Sequence, residues 1–518
     1  MSDVGEHSKA APRFELGIKD LQSSALPLGH AADRESPFPS GDRISREEAA
    51  LLVLSNGHGE DLIALRVLEE IHRFRPGLPL EVLPLVGGGS VFSNAIQAGW
   101  LQRVGPNASL PSGGFSNQSL RGLLEDLAAG LPLLSWNQWR LVKRLARQGR
   151  RMLAVGDLLP LALAFSSGAP YGFIGTPKSD YTWRSGPGRS ISDRYHRVKG
   201  SEWDPWEWAL MRRDRCRLVA VRDRLTARGL RQHGIDALAP GNPMMDGLKR
   251  VAVPTALCRC RRVLLLCGSR MPEALENFRR LLGSLSSMHT PVPLAVLVAV
   301  GSQPPLSALE RVLLDQGYRR SLPPSESLEA AACWVSGRRM ILIGPGCFAR
   351  WAGWAEAGVA TAGTATEQLV GLGIPAVSLP GPGPQFQWGF AVRQSRLLGG
   401  AVRPCRTPSE LAERLAQLLD DAALRTKLGG IGRHRMGPPG GSARLARLVL
   451  DRLHGYGRHP VSRDGRPSRS RIREVVRQAR QRARHQPCQC PTPGGHGISP
   501  CWEQGCGRPP SGGSGDAG

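Results

Sequence analysis

Thr361-Ala362-Gly363-Thr364-Ala365-Thr366-Glu367-Gln368 runs on through Gly373-Ile374-Pro375 to Pro380-Gly381-Pro382-Gly383-Pro384. A glycine followed by small hydroxylated residues and then an apolar run (Leu369, Val370, Leu372) reads as a tight turn that opens a helix. The first N–H groups of such a helix have no intrahelical partners, and its dipole adds partial positive charge there. Small side chains let an anion approach the backbone. Residues 374–379 then read as a buried strand and the Pro/Gly run as a loop. A capped helix in an ordinary α/β domain has the same local pattern, so any function must come from the surrounding chain.

The chain has 518 residues, 41% of them hydrophobic, enough for a substantial core and two or three domains. Strand-like apolar runs alternate with helical patterns throughout, which favours α/β architecture with parallel sheets. A net charge of +25 implies an anionic partner: a nucleotide, an acidic lipid surface or nucleic acid. The Arg-rich C-terminal tail carries part of it. The eleven cysteines are scattered, and the polar N-terminus lacks an apolar signal region, so reduced thiols in a cytosolic protein are expected. No apolar run reaches the ~18–20 residues that span a bilayer, which leaves a soluble or peripheral protein.

Residues 1–48 read as a disordered segment and 49–250 as a first Rossmann-like domain. Residues 260–454 read as a second such domain, and 455–518 as a basic, Pro/Gly/Cys-rich disordered tail. In the tail, Cys488, Cys490, Cys501 and Cys506 do not have the spacing of a common zinc finger, so no metal is expected. The first domain opens with a buried strand, 50–54, and Ser55-Asn56-Gly57-His58-Gly59-Glu60-Asp61 leading into a helical pattern. This is a βα unit without the dinucleotide fingerprint, which argues against a redox cofactor. His58 is either an acid/base or phosphate partner or a plain loop histidine. Val155-Gly156-Asp157 ends another apolar strand, where parallel sheets place functional groups. Asp157 is either a base or the cap of the following helix. Residues 175–184 read as an exposed polar loop in which Lys178, Asp180 and Trp183 can engage a sugar or phosphate. Trp203, Trp206 and Trp208, followed by Arg212 and Arg213, suit either a membrane interface or a core. The second domain opens with the strand 262–267 and Gly268-Ser269-Arg270 before a helix.

Taken in order from about residue 50 to 400, these motifs resemble the GT-B glycosyltransferases, and most closely the lipid-A-disaccharide synthase family. Gly59 and Asp61 match its Gly-Glu-x-Ser-Gly-Asp opening, and Asp157 falls where the family has an aspartate proposed as catalytic base. Gly241, Met244 and Asp246 match its motif at the end of the first domain. Gly268-Ser269-Arg270 matches its Pro-Gly-Ser-Arg turn, with Cys267 in place of the proline, and residues 363–366 match its Gly-Thr-Ala turn. The resemblance implies a GT-B fold, two Rossmann-like domains facing a central cleft. It also implies an inverting sugar transfer from a nucleotide-sugar donor, UDP-linked, to a lipid or lipid-linked acceptor. In this picture Asp157, His58 and Asp61 are the catalytic candidates. Gly57, Gly59, Lys178, Asp180 and Trp183 line the acceptor side.

The donor side comprises Gly268, Ser269, Arg270, Gly363, Thr364, Ala365 and Thr366, with Gln385 or Gln387 near the sugar. The family's ribose-binding glutamate aligns with Gln368, while Glu367 lies one residue away, about 100° around the helix. Arg270 and the helix at Gly363 can neutralise the departing diphosphate, so a metal is not obligatory and no cofactor is expected. The helices 410–419 and 421–428 are expected to cross back onto the first domain. Positive charge and family together place the protein in the cytoplasm, on the inner face of an anionic membrane, with no specific nucleic-acid partner. Two alternatives remain: a nucleotide-sugar epimerase on the same fold, or a non-catalytic basic binding protein.

Overall fold

The computed structural model describes residues 49–105, 131–185, 191–288, 290–381 and 386–455. The expected N-terminal segment 1–48, residues 456–518 of the expected tail and Gln385 lie outside the described residues.

Two sheets organise the chain. The first contains β1 (Leu51–Ser55), β2 (Leu80–Pro84), β3 (Gln102–Arg103), β4 (Arg151–Gly156), β5 (Tyr171–Gly175), β6 (Cys216–Val221) and β7 (Ala237–Leu238). Their order is β3-β2-β1-β4-β5-β6-β7, parallel throughout. The second contains β8 (Arg261–Leu266), β9 (Leu294–Val300), β10 (Arg319–Ser321), β11 (Ala332–Ser336), β12 (Arg339–Pro345), β13 (Ala357–Ala360), β14 (Ala376–Ser378) and β15 (Val402–Pro404). Its order is β10-β11-β12-β9-β8-β13-β14-β15, antiparallel only across β10, β11 and β12. The expected α/β architecture with two Rossmann-like domains is the one observed.

The helices used below are α1 (His58–Phe74), α2 (Leu131–Arg147), α3 (Leu158–Ser167), α4 (Tyr181–Arg184), α5 (Ile191–Lys199) and α6 (Pro205–Met211) in the first domain. In the second part of the chain they are α7 (Glu273–Ser286), α8 (Thr364–Gly371), α9 (Trp388–Leu397), α10 (Pro408–Asp420), α11 (Ala422–Met436) and α12 (Gly441–His454).

The central strands are apolar without alternation because helices cover both sheet faces. In the first domain Leu52, Leu54, Met152 and Ala154 belong to one core layer, and Leu51, Val53, Leu153 and Val155 to the other. The second layer also contains Leu445, Ala446, Val449, Leu450 and Leu453 of α12, which packs against α1. At about 1.5–3 kcal/mol for each fully buried leucine, this helix is a major part of the first domain's core. The returning element is therefore α12. The helices expected to return stay with the second sheet, α10 against α7 and α11 against α8.

Asp246 explains why the crossing occurs where it does. Its carboxylate accepts the N–H groups of Gly440, Gly441 and Ser442 at 2.5, 3.2 and 2.8 Å, capping α12 from the end of the first domain. A Cβ on Gly441 would lie 2.6 Å from the Asn242 carbonyl carbon, so only glycine lets the two segments pass this closely. Asp246→Ala is expected to cost about 1–2 kcal/mol of stability in a denaturant titration.

Three tryptophans also find their places. Trp203 and Trp208 are buried, Trp203 against Phe173 edge to face at 5.4 Å, so these two are core residues; Trp206 is 55% exposed.

Candidate active site at two facing switch points

In open parallel sheets, ligands bind beyond the carboxyl ends of the strands where the strand order reverses. The first sheet reverses between β1 and β4, and the second between β8 and β13. Beyond β1 and β4 lie Asn56–Asp61 and Asp157, and beyond β8 and β13 lie Gly268–Arg270 and Thr361–Thr364. The two crevices meet: a Cβ on Gly59, in the first turn of α1, would lie 3.5 Å from Oγ1 of Thr364, the first residue of α8. Two helix N-termini, each with partial positive charge, thus converge on one place between the domains.

On the second-domain side, Gly268 has φ +92°, and a Cβ there would lie 3.5 Å from the Thr361 carbonyl oxygen. A cavity of about 220 Å³ opens there, lined by Gly268, Ser269, Arg270, Asn277, Thr361 and Phe386 among others. Burial lowers the pKa of the Arg270 guanidinium and Glu273 works in the opposite direction. The turn at Gly363 is pinned from behind. Thr366 Oγ1 donates to the Ala362 carbonyl at 2.6 Å, and Gln394 Nε2 reaches the carbonyls of Ala362 and Gly363, both at 3.1 Å. With those carbonyls held, the N–H groups of Gly363, Thr364 and Ala365 have a fixed direction, the preorganisation an anion site needs.

On the first-domain side, Gly57 (φ +116°) caps α1, and His58, Gly59, Glu60 and Asp61 form its first turn. Asp157 caps α3: its Oδ1 accepts from the Leu159 N–H at 3.1 Å and from Asn56 Nδ2 at 2.7 Å. Glu60 lies beside it and accepts from Thr176 Oγ1 at 3.3 Å. Gly156 (φ +135°) makes room for the group, since a Cβ there would sit 3.0 Å from the Asn56 Cβ and 3.4 Å from the Glu60 Cγ. Burial raises the pKa of both carboxyls. Glu60 is pushed up to about 7, with Asp157 and Asp61 adding repulsion; Lys178 partly offsets the rise at Asp157. Asp61 is almost wholly buried and accepts from Ser55 Oγ at 2.5 Å, which ties α1 to the end of β1.

The segment 175–184, expected as an exposed loop, is largely internal. Asp180 is 1% exposed; it accepts the Glu202 N–H at 2.7 Å and Trp183 Nε1 at 3.4 Å. Burial, with Asp223 and Glu202 close by, pushes its pKa up to about 7. The reason is Gly229, where a Cβ would meet Asp180 Oδ2 at 2.2 Å. Lys178 Nζ donates to Glu207 at 2.6 Å and Asp204 at 3.2 Å. These residues brace the loop from within.

Glu367 and Gln368 both contact the first domain. Arg222 Nη2 donates to Glu367 at 2.6 Å, and Gln368 Nε2 donates to the Met244 carbonyl at 2.8 Å. Two more arginines cross the junction from α9: Arg396 to Asp193 at 2.7 Å, and Arg393 to Glu202. Sequence reasoning did not single out Glu60, Arg222 or Gln394. Glu60 was legible as an acidic residue in a first helical turn; Arg222 and Gln394 carry no motif. Among the described residues, no three His, Cys, Asp or Glu side chains converge as a metal site.

An exposed apolar surface adjoins Asp157. Leu158 and Leu159 at the start of α3 are exposed, as are Leu133 and Trp136 on the adjacent α2. The sequence of α2, Leu131–Arg147, holds Arg140, Lys143, Arg144 and Arg147 and no acidic residue. Among the described residues, no helix is long and apolar enough to cross a membrane.

No protein-family model and no curated protein matches the chain. Among solved structures, the chain is similar to the calicheamicin glycosyltransferase CalG4, at 16% identity and TM-score 0.48, over 80% of this chain and 100% of that one. Acinetobacter baumannii MurG matches at 14% identity and TM-score 0.44, over 78% and 99%. A UDP-GlcNAc 2-epimerase from Neisseria meningitidis, bound to UDP-GlcNAc, matches at 13% identity and TM-score 0.48, over 78% and 100%.

Proposed function

We propose that the protein is a GT-B glycosyltransferase that moves a sugar from a UDP-linked donor to a lipid or lipid-linked acceptor at an anionic membrane surface. The observation that carries this reading is the apposition of the two switch points. An anion-compatible cavity with Arg270 and the turn at Gly363 stands on one side, and a carboxyl pair of raised pKa stands on the other. Chemically, the acceptor hydroxyl attacks the anomeric carbon from the face opposite the diphosphate. Its proton passes to a base of the first domain, and the C–O bond to the diphosphate breaks with inversion. Arg270 and the N–H groups of α8 take up the charge that develops on the leaving oxygens. The catalytic candidates remain Asp157, His58 and Asp61, with Glu60 joining them from the structure. The exposed leucines and the basic helix beside Asp157 support a lipid acceptor presented from a membrane.

The test is turnover of UDP-linked hexoses by the full chain, alone and with vesicles of mixed anionic and neutral lipids. UDP release that rises with vesicles, with the sugar recovered in the lipid phase, is the expected result. An isomerised sugar still attached to UDP would replace the transferase reading with an epimerase. No turnover together with no nucleotide binding would overturn both.

A further inference from the structure

Asp157, after β4, and Glu60, after β1, are neighbours but have different bonding, and the difference assigns their roles. The Asp157 Oδ1 is committed twice, to the Leu159 N–H that starts α3 and to Asn56 Nδ2. Glu60 accepts one longer bond from another residue, Thr176 Oγ1, besides the bond from its own backbone N–H. It also follows Gly59, the residue packed against Thr364 at the start of the donor-side helix. We propose that Glu60 takes the proton from the acceptor hydroxyl, and that Asp157 is a positioning residue that holds Asn56 and the start of α3 in place. This assignment rests on the transferase reading above. In the step, the acceptor O–H breaks and its proton goes to a Glu60 carboxylate oxygen. The acceptor oxygen bonds to the anomeric carbon, and the nucleoside diphosphate leaves with the electron pair of the broken C–O bond.

The surroundings suit a proton carrier. The first turn of α1 favours the carboxylate, while burial and the neighbouring Asp157 and Asp61 favour the neutral acid. Lys178, from the loop after β5, acts on Asp157. The balance near 7 lets the group both hold and release a proton at neutral pH.

The experiment compares Glu60→Gln with Asp157→Asn in the full chain, using UDP binding by calorimetry, UDP-sugar turnover across pH, and melting temperature across pH. Glu60→Gln is expected to bind UDP like wild type and to lose about 100- to 10,000-fold in turnover. Asp157→Asn keeps an oxygen for the Leu159 N–H, so its drop is expected to be far smaller and its pH profile to keep a limb near 7. The stability readout is independent of turnover. A glutamate whose folded pKa is raised contributes stability that is full below its unfolded value and is lost as pH rises through about 7. The melting temperature of Glu60→Gln should therefore gain on wild type between about pH 5 and pH 8. Active Glu60→Gln with normal UDP binding would overturn this assignment and leave the transferase standing, as would a loss confined to Asp157→Asn. Wild type that neither binds UDP nor turns over a UDP-sugar would overturn the transferase reading itself.

Discussion

Arg222→Ala is expected to destabilise the protein by about 3–5 kcal/mol, because it leaves Glu367 at a closed domain junction without its cation. The Arg222 side chain is 11% exposed and that of Glu367 21%, with 2.6 Å between the paired atoms. Burial works against the arginine's charge, yet Glu367, with Asp223 adding to it, more than compensates and the arginine's pKa rises. Truncation therefore removes a pairing and strands a carboxylate, the costly direction of change. Replacing both partners by apolar side chains of similar volume should recover most of the loss, since the pair's desolvation penalty disappears with it. Urea titrations of the two single variants and the double variant supply the cycle. A single-variant cost below about 1 kcal/mol would mean that the pair behaves like an exposed surface ion pair.

Arg270→Ala is expected to weaken nucleotide diphosphate binding by about 1.5–3 kcal/mol, the value of hydrogen bonds to a charged group. That corresponds to roughly 10- to 150-fold in affinity. The side chain lines the cavity beyond β8, and the loop carrying it packs on Thr361, so the variant removes a cation without touching either core. Calorimetry reads the affinity, and an unchanged melting temperature confirms that the loss is local. Arg270→Lys should recover only part of it, because a point charge replaces a planar fork of donors.

Arg222 finds its partner 145 residues away in the sequence, and this is where the sequence stops being informative. Residues 50–54 and 263–267 are unbroken apolar runs because helices cover both sheet faces, so their burial is written locally. The helix at Gly363 is likewise local, since a glycine followed by small hydroxylated residues explains it. The helix at 441–454 shows its stripe in Leu445, Val449 and Leu453, but its packing on the first domain depends on Asp246, about two hundred residues earlier. The same applies to Glu367 and Gln368. Their position on α8 was legible, but their engagement with Arg222 and Met244 required the domain junction. Asp180 looked like a loop carboxylate because nothing near it in sequence reveals the gap left by Gly229. Glu60 is legible only as an acidic residue in a first helical turn, since its position beside Asp157 depends on the β1–β4 pairing.

The most direct test of the central claim, a donor site between the two switch points, is calorimetry of UDP with the full chain, with and without magnesium. One UDP bound per chain, with affinity little changed by magnesium and sharply reduced in Arg270→Ala, is the result this account predicts. No UDP binding under either condition, or binding that Arg270→Ala leaves untouched, would contradict it.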